Sequence, residues 1–198
     1  MQSLIFATNN KNKVQEIRAV LNGLFDVISL KEAGIDIDIP EPHPTLEANA
    51  TEKSKTIWQL TGQNCFSEDT GLEVTSLNGE PGVKSARYAG DDSDFQKNVD
   101  LLLQNMEGKA NRDARFRTVI SLFLEGKEYQ FEGICNGRIT TTASGTNGFG
   151  YDPVFIPEGS DRCFADMTLE EKNEYSHRKK AMMQLIRFLK NINGTDKD

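Results

Sequence analysis

Residues 4–21 read LIFATNNKNKVQEIRAVL and contain three local patterns in succession. The first is Leu4-Ile5-Phe6-Ala7, a continuous apolar run that is typical of a buried strand. The polar stretch Thr8–Lys13 follows, and apolar side chains then recur at helical spacing from Val14 to Leu21. A strand, a polar turn and a helix in this order are the opening unit of an α/β fold.

Helical and strand patterns alternate along the rest of the chain. We predict one helix from Leu46 to Leu60, ending near Gly62, and a second over Asp91–Glu107. A long alternating strand from Ala114 to Leu122 returns through a hairpin turn at Glu125-Gly126. A last helix has apolar residues at i, i+3, i+4 and i+7, namely Met182, Leu185, Ile186 and Leu189. This mixture predicts an elongated α/β domain with a mixed sheet.

The length and the charge of the chain limit its possible functions. Its 198 residues suffice for one large domain, at about 100–200 residues per domain. We expect a single domain over residues 1–198, with the last few residues disordered. The net charge of −7 argues against nucleic acid or an anionic membrane as a partner, because both attract basic surfaces. A free nucleotide remains possible, since a few local cations suffice to bind it.

Cysteine usage and hydropathy indicate the compartment. The three cysteines form no CxxC pair, which is typical of a reduced compartment; they are Cys65, Cys135 and Cys163. The apolar start is short and has neither a basic n-region nor a cleavage signature. No run of about 18 apolar residues is present, so no transmembrane helix is expected. We therefore expect a cytoplasmic protein.

The polar turn after the first strand suits a phosphate group. Its candidate ligands are Thr8, Asn9, Asn10, Lys11, Asn12 and Lys13. A helix N-terminus presents free N–H groups and a partial positive charge, and Lys13 adds a compact cation. A helix cap with solvated lysines would explain the same residues, and no GxxxxGK[ST] motif occurs. Lys53 lies four residues after Asn49 on a predicted helix, and it would be a second phosphate cation if that face pointed at the turn.

Two adjacent carboxylates suit a divalent metal. We predict that a strand over Asn64–Glu68 ends at Glu68-Asp69, just before Thr70-Gly71. Oxygen ligands of this kind suit Mg²⁺, and Glu41 or Glu47 would add a further carboxylate. A water held by the metal or by a carboxylate is the usual nucleophile in phosphoanhydride cleavage. Turn chemistry would explain Asp-Thr-Gly equally well.

A third group of residues suits a flat heterocycle. Phe149-Gly150-Tyr151-Asp152 places two rings in a glycine-rich loop, and three donors follow downstream: Lys172, His177 and Arg178. A ring carbonyl accepts hydrogen bonds from such donors whereas an exocyclic amine does not, so the pocket would favour 6-oxo purines over adenine. Structural roles are the alternative: Phe149 suits a core, and Thr168-x-x-Glu171 is a capping box. Base, phosphate and metal groups together indicate a nucleotide enzyme.

Five motifs occur in an order that identifies a family. They are Thr8-x-Asn10-x-x-Lys13, Ser67-Glu68-Asp69-Thr70-Gly71-Leu72, Pro81-Gly82-Val83-Lys84-Ser85-Ala86-Arg87-Tyr88, Phe149-Gly150-Tyr151-Asp152-Pro153 and Glu171-Lys172-Asn173-x-x-Ser176-His177-Arg178. With these motifs the chain closely resembles the inosine triphosphate pyrophosphatase family, from residue 3 to about residue 190. Each motif is weak alone, whereas five in order make a specific match.

The resemblance implies an activity, a fold and roles for the residues. The activity is hydrolysis of ITP, dITP and XTP to monophosphate and pyrophosphate, which clears deaminated purines from the nucleotide pool. The fold is an elongated mixed-sheet α/β domain with two lobes and a central substrate cleft, and the resemblance also implies a homodimer and Mg²⁺. By motif, Thr8–Lys13 holds the triphosphate, Asp69 binds Mg²⁺ and accepts a proton from the attacking water, and Thr70 touches the substrate. The base is surrounded by Phe149–Asp152, Lys172, His177 and Arg178.

The chain departs from the family pattern at a few positions, and two other functions stay open. Many members carry glutamate directly before the residue matching Asn49, where this chain has Ala48, with Glu47 one position earlier. This departure leaves the second metal carboxylate open between Glu41 and Glu47, and we favour Glu41. Lys84 and Asn147 replace an aromatic residue and a glycine of many members. The alternatives are a pyrophosphatase for modified pyrimidine nucleotides and a non-catalytic nucleotide sensor.

Overall fold

The computed structural model describes residues 3–21, 25–92 and 94–192 of the chain. Residues 193–198, for which disorder is predicted, lie outside the described residues. Among the residues that are described, no helix has the length and apolar character required to cross a membrane.

Strands and helices alternate along the described residues. The elements are β1 (Ser3–Phe6), α1 (Lys11–Leu21), β2 (Asp26–Ser29), α2 (Leu46–Thr61), β3 (Cys65–Val74), β4 (Pro81–Gly82), α3 (Phe95–Asn105), β5 (Asp113–Leu124), β6 (Lys127–Ile139), β7 (Phe155–Pro157), α4 (Leu169–Tyr175) and α5 (His177–Ile192). β1 pairs in parallel with β2 and β3, whereas β4 pairs antiparallel with β3, and β7 with β6. The strand order is β2-β1-β3-β5-β6-β7, with β4 on β3 outside this path. The predicted α/β fold with a mixed sheet is confirmed.

The chain forms two compact units. Unit 1 consists of the described residues within Met1–Asp69, Thr118–Gly133 and Arg178–Asp198, and unit 2 consists of those within Thr70–Arg117 and Ile134–His177. The chain therefore passes between the units four times, at Asp69-Thr70, Arg117-Thr118, Gly133-Ile134 and His177-Arg178. That residues 1–198 act as one domain stays a prediction.

Unit 1 has an apolar core around β1, β3, β5, α1 and α5. The helical spacing predicted for the last helix is confirmed, since Met182, Leu185, Ile186 and Leu189 are all buried in this core. In the same core the rings of Phe6 and Phe66, from the paired strands β1 and β3, stack with their centroids 4.5 Å apart. Thr8–Lys13 follows β1 after a single residue, so the packing of β1 in this core fixes where that stretch begins.

Both ends of α2 are marked by the sequence. The Thr45 side chain accepts a hydrogen bond from the N–H of Ala48 at the start of the helix. Gly62 follows the last turn with a φ of 65°, a left-handed conformation that favours glycine, and its N–H donates to the carbonyl of Trp58. The predicted end near Gly62 is thus confirmed. The predicted hairpin is also present, because Glu125 and Gly126 join β5 to β6 with φ values of 51° and 79°.

Unit 2 has its own apolar core, built from α3, β7, the parts of β3, β5 and β6 that belong to this unit, and the loops around them. Val99 and Leu102 of α3 pack in this core together with Phe116, Phe155 and Phe164. Phe116 contacts both other rings, with centroid distances of 4.6 Å to Phe155 and 6.1 Å to Phe164. These rings lie next to the loop that carries the predicted base ligands.

The prediction that a strand ends at Asp69 is wrong. β3 continues without interruption from Cys65 to Val74, through Asp69-Thr70-Gly71. Gly71 is required there by a close backbone approach rather than by a turn, because a Cβ at this position would lie 2.6 Å from the carbonyl oxygen of Gly82 in β4. Asp69 is therefore held in the middle of a strand, where its backbone is fixed.

Candidate functional site

The stretch Thr8–Lys13, a turn that leads into the first residues of α1, is organised in unit 1 by its own side chains. The hydroxyl of Thr8 accepts from the N–H of Asn10 at 3.2 Å. The carboxamide oxygen of Asn10 then accepts from the N–H groups of Asn12 and Lys13, at 3.0 and 3.2 Å. Asn10 thus caps the start of α1, as the alternative interpretation from the sequence has it. The exposed side chains of the turn are Asn9, Lys11 and Asn12.

A buried group of charges, the Arg178 cluster, lies beside this turn in unit 1. It consists of Lys13, Glu16, Glu68 and Arg178. The guanidinium of Arg178 holds Glu68 with two parallel bonds, from Nε to Oε2 at 2.7 Å and from Nη2 to Oε1 at 2.9 Å. Its Nη1 donates to Glu16, and the Lys13 ammonium lies 3.3 Å from Glu68 Oε1. Fork-to-fork pairing of this kind fixes both side chains in one geometry.

Glu68 is ionised in this cluster although it is buried. Burial alone would raise the pKa of its carboxyl, but Arg178 and Lys13 outweigh that effect and lower it from 4.5 to about 2. The pKa of Arg178 is raised in return by the two glutamates, against the effect of burial. Lys13, predicted to bind phosphate, is thereby tied to a permanent anion.

The lowered pKa predicts a pH dependence of stability that Glu68→Gln should remove. A carboxyl with a folded pKa near 2 and an unfolded pKa near 4.5 stabilises the fold at neutral pH, and this contribution is lost as the pH falls from about 4.5 to about 2. We therefore expect the wild-type chain to be more stable than Glu68→Gln at pH 7, and the difference to shrink across that window. Urea denaturation at several pH values measures it. A difference that stays constant between pH 5 and pH 2 would contradict the assignment.

A second group, the Lys53 cluster, also lies in unit 1. It consists of Lys53, Glu41 and Asp69. The Lys53 ammonium lies 2.5 Å from Glu41 Oε1 and 3.3 Å from Asp69 Oδ1, so one cation joins the two carboxylates. Lys53 projects from α2 on a buried face, not into solvent. Glu41, which we favoured over Glu47 as the second metal ligand, is thus next to Asp69 through a shared partner.

Asp69 has the properties of a reactive carboxylate. Burial raises its pKa, the Lys53 ammonium lowers it, and the neighbouring Glu41 raises it, with a net upward shift. Its Oδ2 is buried and has no hydrogen-bond partner among the described residues. A buried carboxylate oxygen without a donor is unfavourable unless a ligand completes it. Asp69 Oδ2 is therefore a ready position for a cation or a water.

The residues present fit a magnesium ion that is completed by a substrate. Within the described ranges, no three side chains of His, Cys, Asp or Glu converge on a point that could hold a metal. Mg²⁺ does not require three, because it is commonly held by one or two carboxylates together with substrate phosphates and waters. Asp69 and Glu41 supply two carboxylates, and the open Oδ2 of Asp69 is one suitable donor atom.

Unit 2 contains a tight loop that carries the predicted base ligands Phe149–Asp152. Asp152 Oδ2 accepts from the N–H of Phe149 at 2.9 Å and from the Lys172 ammonium at 2.6 Å. A Cβ on Gly148 would lie only 2.0 Å from that oxygen, so the loop closes tightly around the carboxylate. The ammonium of Lys172 also lies 5.2 Å from the ring centroid of Phe149 and 5.3 Å from that of Phe164. A cation over two ring faces is a stabilising arrangement.

Two other predicted base ligands are buried in the core of unit 2. The ring of Tyr151 packs in the apolar core, and its hydroxyl donates to the carbonyl oxygen of Ser85 at 2.8 Å. Burial raises the pKa of this phenol. The imidazole of His177 stacks on Phe116 with ring centroids 4.7 Å apart.

Phe149 and Gly150 are half-buried, and so is Thr70, which lies within β3. The capping box of Thr168 and Glu171 is confirmed at the start of α4.

The structure thus brings the predicted residues together in two sets. Lys13, Lys53, Glu41, Asp69 and Arg178 lie in the two charge clusters of unit 1. Phe149, Gly150, Tyr151, Asp152, Lys172 and His177 lie in unit 2. The substrate contacts of all these residues, including a base contact by Arg178, stay predictions. Sequence reasoning missed Glu16, a charged residue on the otherwise apolar buried face of α1, for which no local pattern gave a signal.

Comparison with known proteins identifies the family of the chain. The model of the Ham1 family matches residues 4–188. A dITP/XTP pyrophosphatase of Flavobacterium johnsoniae is 51% identical over 186 residues, covering 94% of this chain and 97% of that protein. A dITP/XTP pyrophosphatase of Flavobacterium psychrophilum is 48% identical, covering 95% of this chain and 99% of that protein. The solved structure of the Staphylococcus aureus Ham1 protein is 34% identical and superposes with a TM-score of 0.87, covering 96% of this chain and 99% of that one. The resemblance found in the five motifs is confirmed, and the chain belongs to the Ham1 family.

Proposed function

We propose that this chain is a nucleoside triphosphate pyrophosphatase that hydrolyses deaminated purine nucleotides. Its substrates are ITP, dITP and XTP, and its products are the monophosphate and pyrophosphate, so it clears the nucleotide pool. Membership of the Ham1 family and two relatives named dITP/XTP pyrophosphatase support this activity. The observation that carries the proposal is the Lys53 cluster, in which a buried carboxylate of raised pKa, Asp69, lies beside a cation and a second carboxylate.

Asp69 acts as the proton acceptor in this proposal. It orients a water for attack on the α-phosphorus and takes its proton as the bond between the α- and β-phosphates breaks. A raised pKa suits this role, because a carboxylate of ordinary pKa is a weak base at neutral pH. Lys13 and Lys53 stabilise the charge that develops on the departing pyrophosphate. Thr8–Lys13 binds the triphosphate with its exposed polar groups.

The charge balance of unit 1 supports a requirement for Mg²⁺. With all groups ionised, the Arg178 and Lys53 clusters contain four carboxylates against three cations. A net negative site repels a triphosphate unless a divalent cation offsets the charge. Glu41 and Asp69 are the residues that would hold it. When bound, Mg²⁺ would neutralise charge on the phosphates.

Unit 2 supplies the recognition of the base. Phe149 offers a half-buried ring for stacking, and Lys172 and His177 offer donors that suit a 6-oxo purine. Arg178, the third donor of the predicted set, belongs to unit 1. The Lys172 ammonium is held by Asp152, which fixes its direction. We further propose a homodimer in the cytoplasm, with no nucleic acid or membrane as partner.

The test of the function is pyrophosphate release from a panel of nucleotides. We expect Mg²⁺-dependent pyrophosphate from ITP, dITP and XTP, and little from ATP, because the exocyclic amine of adenine leaves the donors unpaired. GTP and dUTP complete the panel, and chelation by EDTA should stop turnover in each active case. Ion chromatography distinguishes pyrophosphate from orthophosphate.

Each other outcome points to a different function. Activity restricted to dUTP or other pyrimidine nucleotides would favour a pyrophosphatase for modified pyrimidines. Tight binding of ITP without any product would favour a nucleotide sensor. Equal rates with ITP and ATP, or release of orthophosphate, would contradict the assigned base pocket and the assigned bond cleavage, respectively.

A further inference from the structure

Glu41 lies in a segment without regular secondary structure. Residues 35–42 belong to no helix or strand. Their exposure alternates, however: odd-numbered residues are half-buried and even-numbered residues are exposed, from Ile35 to Pro44. In an extended chain, alternate residues point to the same side. Glu41 therefore faces the protein in register with the isoleucines that precede it.

One side of Glu41 is anchored by apolar contacts. Ile35, Ile37 and Ile39 pack against a small core of unit 1. That core consists of Ile5, Ala7, Leu30, Ile57, Cys65 and Phe123. The last of the three isoleucines lies two residues before Glu41, so the segment is fixed on its N-terminal side by burial of apolar surface.

The other side of Glu41 is anchored by Asn49. Its carboxamide Oδ1 accepts from the N–H of His43 at 2.9 Å, and its Nδ2 donates to the carbonyl of the same residue at 3.1 Å. Asn49 is 1% exposed, so these bonds are shielded from water. The backbone N–H and carbonyl of His43, two positions after Glu41, are therefore both held by the buried side chain of Asn49 on α2.

The same face of α2 holds the segment at a second point. Asn49 and Lys53 lie four residues apart and both are buried. Asn49 holds the backbone at His43, and Lys53 holds the Glu41 carboxylate at 2.5 Å while also contacting Asp69. The sequence pattern left open whether this face points at a ligand site or at solvent, and the structure shows that it points at the Glu41 segment.

We propose that Asn49 is a positioning residue, which places Glu41 beside Asp69 so that the two carboxylates together can hold a divalent cation. This inference rests on the proposed function, because it assigns the cation to Glu41 and Asp69. Asn49 itself touches neither the cation nor the substrate. It acts through the backbone, in the way that residues behind a ligand orient it.

The chain offers a matched control in Asn98 of unit 2. Asn98 is also buried, and its carboxamide accepts from the N–H of Ala89 at 2.7 Å and donates to the carbonyl of Ala86 at 3.0 Å. Each of the variants Asn49→Ala and Asn98→Ala therefore removes one hydrogen bond from a backbone N–H and one hydrogen bond to a backbone carbonyl. Similar losses of stability are expected. Only in Asn49→Ala do the lost hydrogen bonds lie next to Glu41, a carboxylate of the Lys53 cluster.

The experiment measures Mn²⁺ binding to each variant by electron paramagnetic resonance, with pyrophosphate present and nucleotide absent. We expect Asn49→Ala to weaken binding about tenfold or more, as changes behind a metal ligand commonly do, and Asn98→Ala to leave it unchanged. The concentration of Mg²⁺ for half-maximal turnover should rise in Asn49→Ala alone. Equal binding in Asn49→Ala and wild type, or an equal loss in both variants, overturns the proposal.

A second pair of variants and a second measurement keep the test decisive. If Asn49→Ala does not fold, His43→Pro removes the N–H that Asn49 accepts from, and His43→Ala keeps it, so only the first should weaken Mn²⁺ binding. Hydrogen exchange at His43 tests positioning without metal: faster exchange in Asn49→Ala supports it, and unchanged exchange overturns it. Wild-type chain that binds no Mn²⁺ overturns the metal assignment of Glu41 and Asp69, while release of pyrophosphate is tested separately.

Discussion

Asp69→Asn is expected to abolish turnover while the fold and nucleotide binding persist. The substitution keeps the shape of the side chain but removes the proton acceptor and one anionic metal ligand. General-base catalysis alone contributes roughly a hundredfold to ten-thousandfold, and at least that loss is expected in kcat. Single-turnover hydrolysis of ITP measures the chemical step, and equilibrium binding of a non-hydrolysable analogue measures affinity. Near-normal turnover would remove Asp69 from its role.

The stability of the same variant distinguishes a catalytic from a structural carboxylate. The pKa of Asp69 is raised in the fold, so its ionised form is less favourable there than in the unfolded chain at neutral pH. Asp69→Asn should therefore be as stable as the wild type or more stable. Asp94→Asn is a matched control, since Asp94 caps α3 and asparagine caps equally well. That variant should keep both its stability and its activity.

Arg178→Met is expected to have the largest effect on stability. Removing the guanidinium leaves Glu16 and Glu68 buried without their shared cation, and the loss of one member of a buried ion pair costs about 3–5 kcal/mol. Urea denaturation at pH 7 measures the free energy of unfolding. Arg162→Met is the control: its pair with Glu171 is solvent-exposed, so little change is expected. Equal stability of the two variants would contradict the role of the Arg178 cluster.

Further substitutions show whether the loss comes from uncompensated charge. Adding Glu16→Gln and Glu68→Gln to Arg178→Met should restore part of the stability, since no buried carboxylate then lacks its cation. The deficit of Arg178→Met should also shrink as the pH falls towards the ordinary carboxyl range, because protonation neutralises the two glutamates. A deficit that persists in the triple variant and at low pH would indicate lost packing of the arginine stem instead.

Local patterns predicted the elements whose signals lie within one stretch of chain. The spacing of Met182, Leu185, Ile186 and Leu189 predicted α5, and Gly62 predicted the end of α2. In these cases the buried face or the cap depends on neighbours in sequence, so periodicity and turn chemistry suffice.

The strand around Asp69 shows why a local signal can mislead. Asp-Thr-Gly resembles a turn, yet Gly71 lies within β3 because the carbonyl of Gly82 occupies the space of a Cβ. Glycine marks either a turn or a close backbone approach, and only the position of β4 distinguishes the two. The same limit applies to the second carboxylate: the sequence offered both Glu41 and Glu47, and the contact of Glu41 with Lys53 beside Asp69 comes from the tertiary structure.

For this protein, the sequence by itself determined the α/β class with a mixed sheet, the family and the residue types of the candidate site. Only the tertiary structure decided which polar groups meet: Arg178 with Glu68 and Glu16, Lys53 with Glu41 and Asp69, and Asn49 with the backbone of His43. Helical and strand periods arise from burial along one element and are written in neighbouring residues. Contacts between elements that are distant along the chain have no such period, because the packing of the core decides which distant residues become neighbours.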